Sequence, residues 1–310
     1  MQLAIITMQQ VIILFIMIFA GFACAKAGIV QRQAKQAFSD LLVGLVVPCM
    51  IISSYLTPFD PQTLHNLFLA YGLSAILLTT GMAVAFICTT RTSQRERPII
   101  RFACIYSNSA YMGFPLISVL FGNEGLLYAS AFVTVFNILL WTQGVLMLKG
   151  GHTDFLQAVR TIATPPPVLL AVAAGLILYL GQIPVPELIQ SPLAMIGDMN
   201  TPLSMFITGM MIAESDLKLL PSRKGLGTVL LIRLAVIPAV CFLLYRLLQV
   251  SGITAQVVLL LEACPCAAIT SVFALQFGHD EQLAAGTVVA STLFSIVTLP
   301  LCALLLDIFL

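Results

Sequence analysis

Charge is what this chain has least of: 14 lysines and arginines and 13 aspartates and glutamates are spread over 310 residues, 9% in all, for a net charge of +1. A soluble globular chain carries about 25% charged residues, so a water-facing shell cannot be assembled from this composition. The near-neutral balance leaves no basic stripe to neutralise phosphates, which excludes a nucleic-acid partner. Histidine is scarcer still, and His65, His152 and His279 all fall in or beside connectors. His152 with Asp154 reads as a solvated loop pair. No His-Glu-x-x-His or comparable metal-ligand spacing is present. With no base beside a buried Ser or Cys, nucleophilic catalysis lacks its parts; the chain is not read as an enzyme, and no cofactor is implied. The eight cysteines (Cys24, Cys49, Cys88, Cys104, Cys241, Cys264, Cys266 and Cys302) all lie in apolar runs. They suggest no extracellular disulfide framework and read as small buried hydrophobes. The first apolar stretch has no basic residues before it and is expected to be a retained span, not a cleaved signal peptide.

What the chain does have is apolar surface: 60% of residues are hydrophobic and the mean hydropathy is +1.04. Lipid has to be part of its solvent. A bilayer core about 30 Å thick needs roughly 20 apolar residues of helix. About ten such stretches can be read: Leu3–Cys24, Ala37–Leu56, Leu67–Thr89, Ile99–Phe121, Leu126–Leu148, Pro167–Leu180, Leu193–Ala213, Leu226–Leu248, Ala255–Phe277 and Leu283–Phe309. Pro165-Pro166-Pro167 ends the central connector. Lys26, Arg32, Lys35, Arg91, Arg95, Arg97, Arg101, Lys149, Arg160, Lys218, Arg223 and Lys224 flank the connectors after the first, third, fifth and seventh stretches, against Arg246 alone on the other side. Cytoplasmic loops are the basic ones, so both termini are expected outside the cytoplasm of a multi-pass cell (inner) membrane protein. Glu214-Ser215-Asp216 with Lys218 reads as a solvated cytoplasmic turn.

The two halves resemble each other weakly. Phe121-Gly122-Asn123-Glu124 ends the fourth stretch and Phe277-Gly278-His279-Asp280 the ninth, while Pro48 and Pro202 sit at nearly the same offset in the second and seventh. Pairing stretches one to five (1–150) with six to ten (166–310) requires the second copy to cross upside down, because five is odd. Inverted repeats are a common architecture of secondary transporters, whose sites lie at the midplane where helices break.

Two such breaks are expected. The fourth stretch reads Tyr106-Ser107-Asn108-Ser109-Ala110-Tyr111-Met112-Gly113-Phe114-Pro115, with a proline that can neither donate nor pack in a helix interior. Freed backbone groups in lipid are tolerated only in protein or beside a cavity. The ninth reads Glu262-Ala263-Cys264-Pro265-Cys266-Ala267-Ala268-Ile269-Thr270. A charge at the centre of a span costs at least about 2.5–3.5 kcal/mol, so Glu262 is expected to face a cavity or a partner. Arg233 in the eighth stretch is the candidate, either in a structural ion bridge or in a working pair that couples protons or draws in the substrate. Broken helices turn half-helix N-termini, with partial positive charge and free N–H groups, toward one point, which suits a carboxylate.

On Asn108-Ser109-Ala110-Tyr111-Met112-Gly113-Phe114-Pro115 and on Pro265 the sequence resembles the auxin efflux carrier family, which includes plant PIN proteins and bacterial permeases for malate, malonate and related acids. The resemblance covers essentially the whole chain. It implies an all-α, NhaA-like fold of ten helices in two inverted five-helix repeats, with helices four and nine broken and crossing. Helices one, two, six and seven would form a scaffold, often dimeric, and three to five with eight to ten a transport domain. It puts Asn108 at the substrate carboxylate and Pro115 and Pro265 at the crossover. The sequence departs from the pattern in carrying Cys264 and Cys266 beside the proline, where small or amide residues are expected, and in lacking a long central loop.

The expected function is secondary transport of a small organic anion (a carboxylate or dicarboxylate such as malate or malonate, or an auxin-like acid) by alternating access, with H+ or Na+ coupling and a homodimer as candidates. The candidate substrate contacts are Ser107, Asn108, Ser109, Gly113, Pro115, Cys264, Pro265 and Thr270, with Tyr106 secondary and Glu262 and Arg233 as the coupling or ion pair. A passive channel is one alternative. The other is soft-metal transport through Cys264-Pro265-Cys266, since thiolates select such ions, although no connector is long enough for a pump's nucleotide domain.

Overall fold

The computed structural model describes residues 2–31, 34–150, 166–214 and 224–309. Arg32, His152, Asp154, Arg160, Pro165, Ser215, Asp216, Lys218 and Arg223 lie outside them. The described residues are helical, with no strand among them. Among the described residues, six helices are long and apolar enough to cross a membrane: Ile5–Lys26, Ala34–Tyr55, Pro61–Cys88, Ser109–Leu148, Gly225–Leu248 and Glu281–Phe309. At 1.5 Å per residue the shortest of these, 22 residues, reaches about 33 Å.

We number the helices α1 (Gln2–Lys26), α2 (Ala34–Tyr55), α3 (Pro61–Cys88), α4 (Arg97–Ile105), α5 (Ser109–Leu148), α6 (Pro167–Leu180), α7 (Glu187–Asp198), α8 (Asn200–Glu214), α9 (Gly225–Leu248), α10 (Ile253–Ala263), α11 (Ile269–Gln276) and α12 (Glu281–Phe309). Each stretch read from the sequence falls on one helix, a part of one or a consecutive pair. The fourth and fifth fall on α4 and α5, the seventh on α7 and α8, and the ninth on α10 and α11.

Local chemistry accounts for several boundaries. Asp60 caps α3: its carboxylate accepts from Thr63 N–H at 2.7 Å and from the Thr63 hydroxyl at 2.9 Å. Pro61 follows at the first helical position, where a missing N–H costs nothing. Those bonds hold the Asp60 carboxyl below its usual range. Within α5, Gly122 adopts φ 59° and bends the helix, and Gly278 turns the chain into α12 at φ 70°. Both conformations favour glycine.

Most buried side chains join one large core, and a second cluster of Leu14, Ile18, Met205, Ile212 and Val289 ties α1 to α8 and α12. Helices in lipid approach closely where a small residue allows it. A Cβ on Gly209 would lie 2.0 Å from the Ile18 carbonyl oxygen and 2.6 Å from Phe22 N, and one on Gly21 2.5 Å from the Phe206 oxygen. Gly209→Leu is therefore expected to wedge α8 off α1 at a cost of about 1–3 kcal/mol or more, read as a lowered melting temperature in detergent. At the end of this helix pair Glu214 is bound to Lys35. The pair is exposed and joins residues 179 positions apart, and the rest of the expected solvated turn, Ser215, Asp216 and Lys218, lies outside the described residues.

Candidate functional site

Two interruptions of the helical path, between α4 and α5 and between α10 and α11, meet. Tyr106 is extended (φ −94°, ψ 116°), as is Cys264 (φ −58°, ψ 154°). Ser107 and Cys266 form an isolated antiparallel bridge. Asn108 N–H donates to the Pro265 carbonyl at 2.7 Å, and Ala267 N–H donates to the Tyr106 carbonyl at 2.9 Å. Cys266 N–H is taken up by the Ser291 hydroxyl of α12 at 3.0 Å. Backbone groups freed from two apolar helices thus satisfy each other, as burial requires.

Pro265 lies at this crossing. Pro115 follows one π-turn after the interruption. The chain leaves the helix at Tyr106–Asn108, and Pro115 stands in the first turn of regular α-helix after a π-turn over Ser109–Gly113. The widened turn absorbs the hydrogen bond that proline cannot make, so no break is needed there. Gly113 serves close approach: a Cβ would come within 2.5 Å of the Leu261 side chain and 3.3 Å of Cys264 Sγ.

The crossing also sorts the helix ends. Arg233 sits in another π-turn, Ile232–Val236, fully buried, and its guanidinium spans both breaks. Nε donates to the Cys264 carbonyl at 2.9 Å; Nη1 donates to the carbonyls of Cys104 at 3.0 Å and Ile105 at 3.1 Å, and to Glu262 Oε1 at 3.2 Å. Carbonyls at helix C-termini carry partial negative charge, so one cation neutralises the ends of α4 and α10 together. Gly81 of α3 makes room for Glu262, since a Cβ there would stand 2.8 Å from Oε1. With four bonds and no exposure, Arg233 is held as a clamp, while its Nη2 is buried without a partner. The second oxygen of Glu262 has no partner.

The opposite ends, the N-termini of α5 and α11, are lined by polar side chains without partners. Asn108 is 4% exposed and its amide makes no hydrogen bond among the described residues. Ser107 Oγ and Thr270 Oγ1 are buried and unpartnered, and so is Thr292 Oγ1 on α12. Ser109 is buried beside them. Each unsatisfied buried group costs about 1–3 kcal/mol, which a bound polar molecule can repay. Tyr106 is otherwise committed: its hydroxyl bonds the Leu139 carbonyl at 2.9 Å and Gln143 Oε1 at 2.8 Å. Cys264 Sγ bonds back to the Leu260 carbonyl at 3.4 Å. Among the described residues no three His, Cys, Asp or Glu side chains are grouped to hold a metal.

The sequence reading found the span of α12 and missed its buried hydroxyls. Thr287, Ser291 and Ser295 are buried at four-residue spacing, Ser291 on the crossing and Ser295 against Met112 Sδ at 3.6 Å. A hydroxyl stripe of that period in an apolar span was the available signal.

Comparison with known proteins places the molecule. An "Uncharacterized transporter" of Methanothermobacter thermautotrophicus is 22% identical over 302 residues, covering 96% of this chain and 98% of that one. A second "Uncharacterized transporter", from Methanocaldococcus jannaschii, is 23% identical over 310 residues, covering 96% and 97%. A Rhizobium meliloti protein named "Putative malonate transporter" is 24% identical over 304 residues, covering 92% and 91%. The family profile described as membrane transport protein matches residues 5–165 and 156–303. A multi-pass chain, helical in its described residues and matched by that profile along nearly its whole length, belongs to the membrane transport protein family of auxin efflux carriers.

Proposed function

We propose that this protein is a secondary carrier of a small organic anion, most simply a dicarboxylate such as malonate or malate, working by alternating access as a homodimer in the cell membrane. The observation that carries the reading is the crossing itself: an unbonded, nearly buried Asn108 amide beside two half-helix N-termini. Those N-termini supply N–H groups and partial positive charge for a carboxylate. The name of the Rhizobium meliloti relative points to the same substrate class.

The finer architecture belongs to this proposal. Counting α4 with the first part of α5, α7 with α8, and α10 with α11 as single crossings gives ten, in inverted repeats over 1–150 and 166–310. The Phe-Gly turns support the inversion. The turn at Gly122 opens the long arm of α5, where Glu124 binds Tyr128 at 2.7 Å and Tyr128 meets Asn66 of α3. The turn at Gly278 places His279 on the carbonyl of Leu148, at the far end of that arm, at 2.9 Å. Matching turns therefore lie at opposite ends of one spanning helix. The basic residues near that far end, Lys149 among them, favour termini outside the cytoplasm.

The decisive experiment is uptake of labelled malonate into proteoliposomes under imposed proton, sodium and voltage gradients. Saturable, gradient-driven uptake supports a carrier; linear, unsaturable flux would make it a channel. Glu262, with one oxygen on Arg233 and one unpartnered, is the group we assign to proton coupling; its titratable neighbours are Arg233, Cys241, Tyr245 and Cys264. Glu262→Gln is expected to keep saturable uptake while abolishing its stimulation by a pH gradient. Stimulation equal to that of the wild type would remove Glu262 from coupling.

A further inference from the structure

Asn200 opens α8 directly after the turn at Met199, two residues before Pro202. It is 2% exposed, and neither Nδ2 nor Oδ1 has a hydrogen-bond partner. The other buried polar groups of this helix are spent locally: Ser204 bonds back to the Thr201 carbonyl and Thr208 to the Ser204 carbonyl. Asn200 stands apart in making no capping or back-bonding contact. An amide with two donors and an acceptor, withdrawn from solvent on every side, needs an occupant.

Its direction is set by the helix. At 100° per residue, Asn200, Ser204, Ile207 and Met211 share one side of α8, while Met205, Gly209 and Ile212 face α1. Ile207 belongs to the main core and Met211 packs against it, and α8 as a helix contacts the π-turn Ser109–Gly113 that follows Asn108.

We propose that Asn200 is a second solute-binding amide, contributed by the wall that faces the helix crossing, and that it selects acids with a second polar end. Nδ2–H donates to the far carboxylate of a dicarboxylate, and Oδ1 remains to accept from a hydroxyl such as a hydroxy-dicarboxylate carries. This rests on the carboxylate-carrier reading and adds a specificity determinant to it. The rival occupant is a single buried water.

The test compares saturable uptake of malonate and of propionate by the full-length chain in proteoliposomes, for wild type, Asn200→Leu and Asn200→Gln. Leucine has a similar shape without unsatisfied groups, so folded protein is retained. The expected result is a malonate KM raised about tenfold or more in Asn200→Leu, as for loss of a hydrogen bond to a charged group. The propionate KM changes less than about threefold, and Asn200→Gln recovers part of the malonate loss. An unchanged malonate KM means that only water sits there, and equal rises for both acids mean a packing role; either overturns the assignment. Wild-type protein that takes up neither acid overturns the carboxylate reading and this proposal with it. Should Asn200→Leu not accumulate, Asn200→Ser carries the same comparison.

Discussion

Arg233→Ala is expected to remove about 3–5 kcal/mol of stability, enough to leave little folded protein, since native chains hold only about 5–15 kcal/mol in reserve. The substitution strips four acceptors at once. Glu262 becomes an unpaired buried charge, and the carbonyls of Cys104, Ile105 and Cys264 lose their donor. Arg233→Lys keeps the charge, but a single ammonium cannot fork between the ends of two helices, so an intermediate loss is expected. Adding Glu262→Ala to Arg233→Ala should restore part of the stability by removing the stranded carboxylate, leaving the cost of the bare helix ends. Thermal unfolding of the detergent-solubilised protein, followed by size-exclusion chromatography, reads all three. An Arg233→Ala protein that melts with the wild type would mean that the clamp bears no weight, and the crossing would then need another source of cohesion.

The bulk of the fold was written in the sequence, because in lipid the backbone has to satisfy itself and helix is the immediate solution. The last expected stretch, Leu283–Phe309, lies within α12 at Glu281–Phe309, and the sixth matches α6 at both ends. The breaks were legible as regions and not as residues. Proline marks a place where a helix can fail, but the failure at Tyr106–Asn108 is fixed by a partner more than 150 positions away, whose extended backbone accepts and returns the hydrogen bonds. Pro115 could be absorbed because a π-turn sits in front of it, and nothing in five consecutive residues announces a π-turn. Arg233 and Glu262 were recognised as a pair since each is too costly in an apolar span to stand alone. That Arg233 also holds three carbonyls was invisible, as backbone acceptors have no sequence identity. Asn200 escaped for a related reason: an Asn near a proline reads as a helix cap, and only its lack of any partner in the fold sets it apart.

Asn108→Ala is expected to lower malonate uptake about 10–150-fold, the loss of a hydrogen bond or two to a charged group, while leaving the melting temperature unchanged or slightly raised. The two halves of that expectation come from the same geometry. Every structural bond at this position is made by the backbone, from its N–H to Pro265 and from Met112 and Gly113 to its carbonyl, and alanine preserves all three at a φ of −80°. The side chain contributes nothing to the fold that a methyl group would miss, and its removal relieves a buried, unbonded amide. Asn108→Asp should be worse for transport than alanine, because it adds like charge where the carboxylate arrives, and it should also destabilise the crossing by burying an unpaired anion. The contrast with Arg233 gives the assignment its force: one residue of the crossing is predicted to matter for stability first, the other for flux alone. Full uptake by Asn108→Ala would move the substrate away from the crossing, and a collapse of stability in that variant would make Asn108 a structural residue.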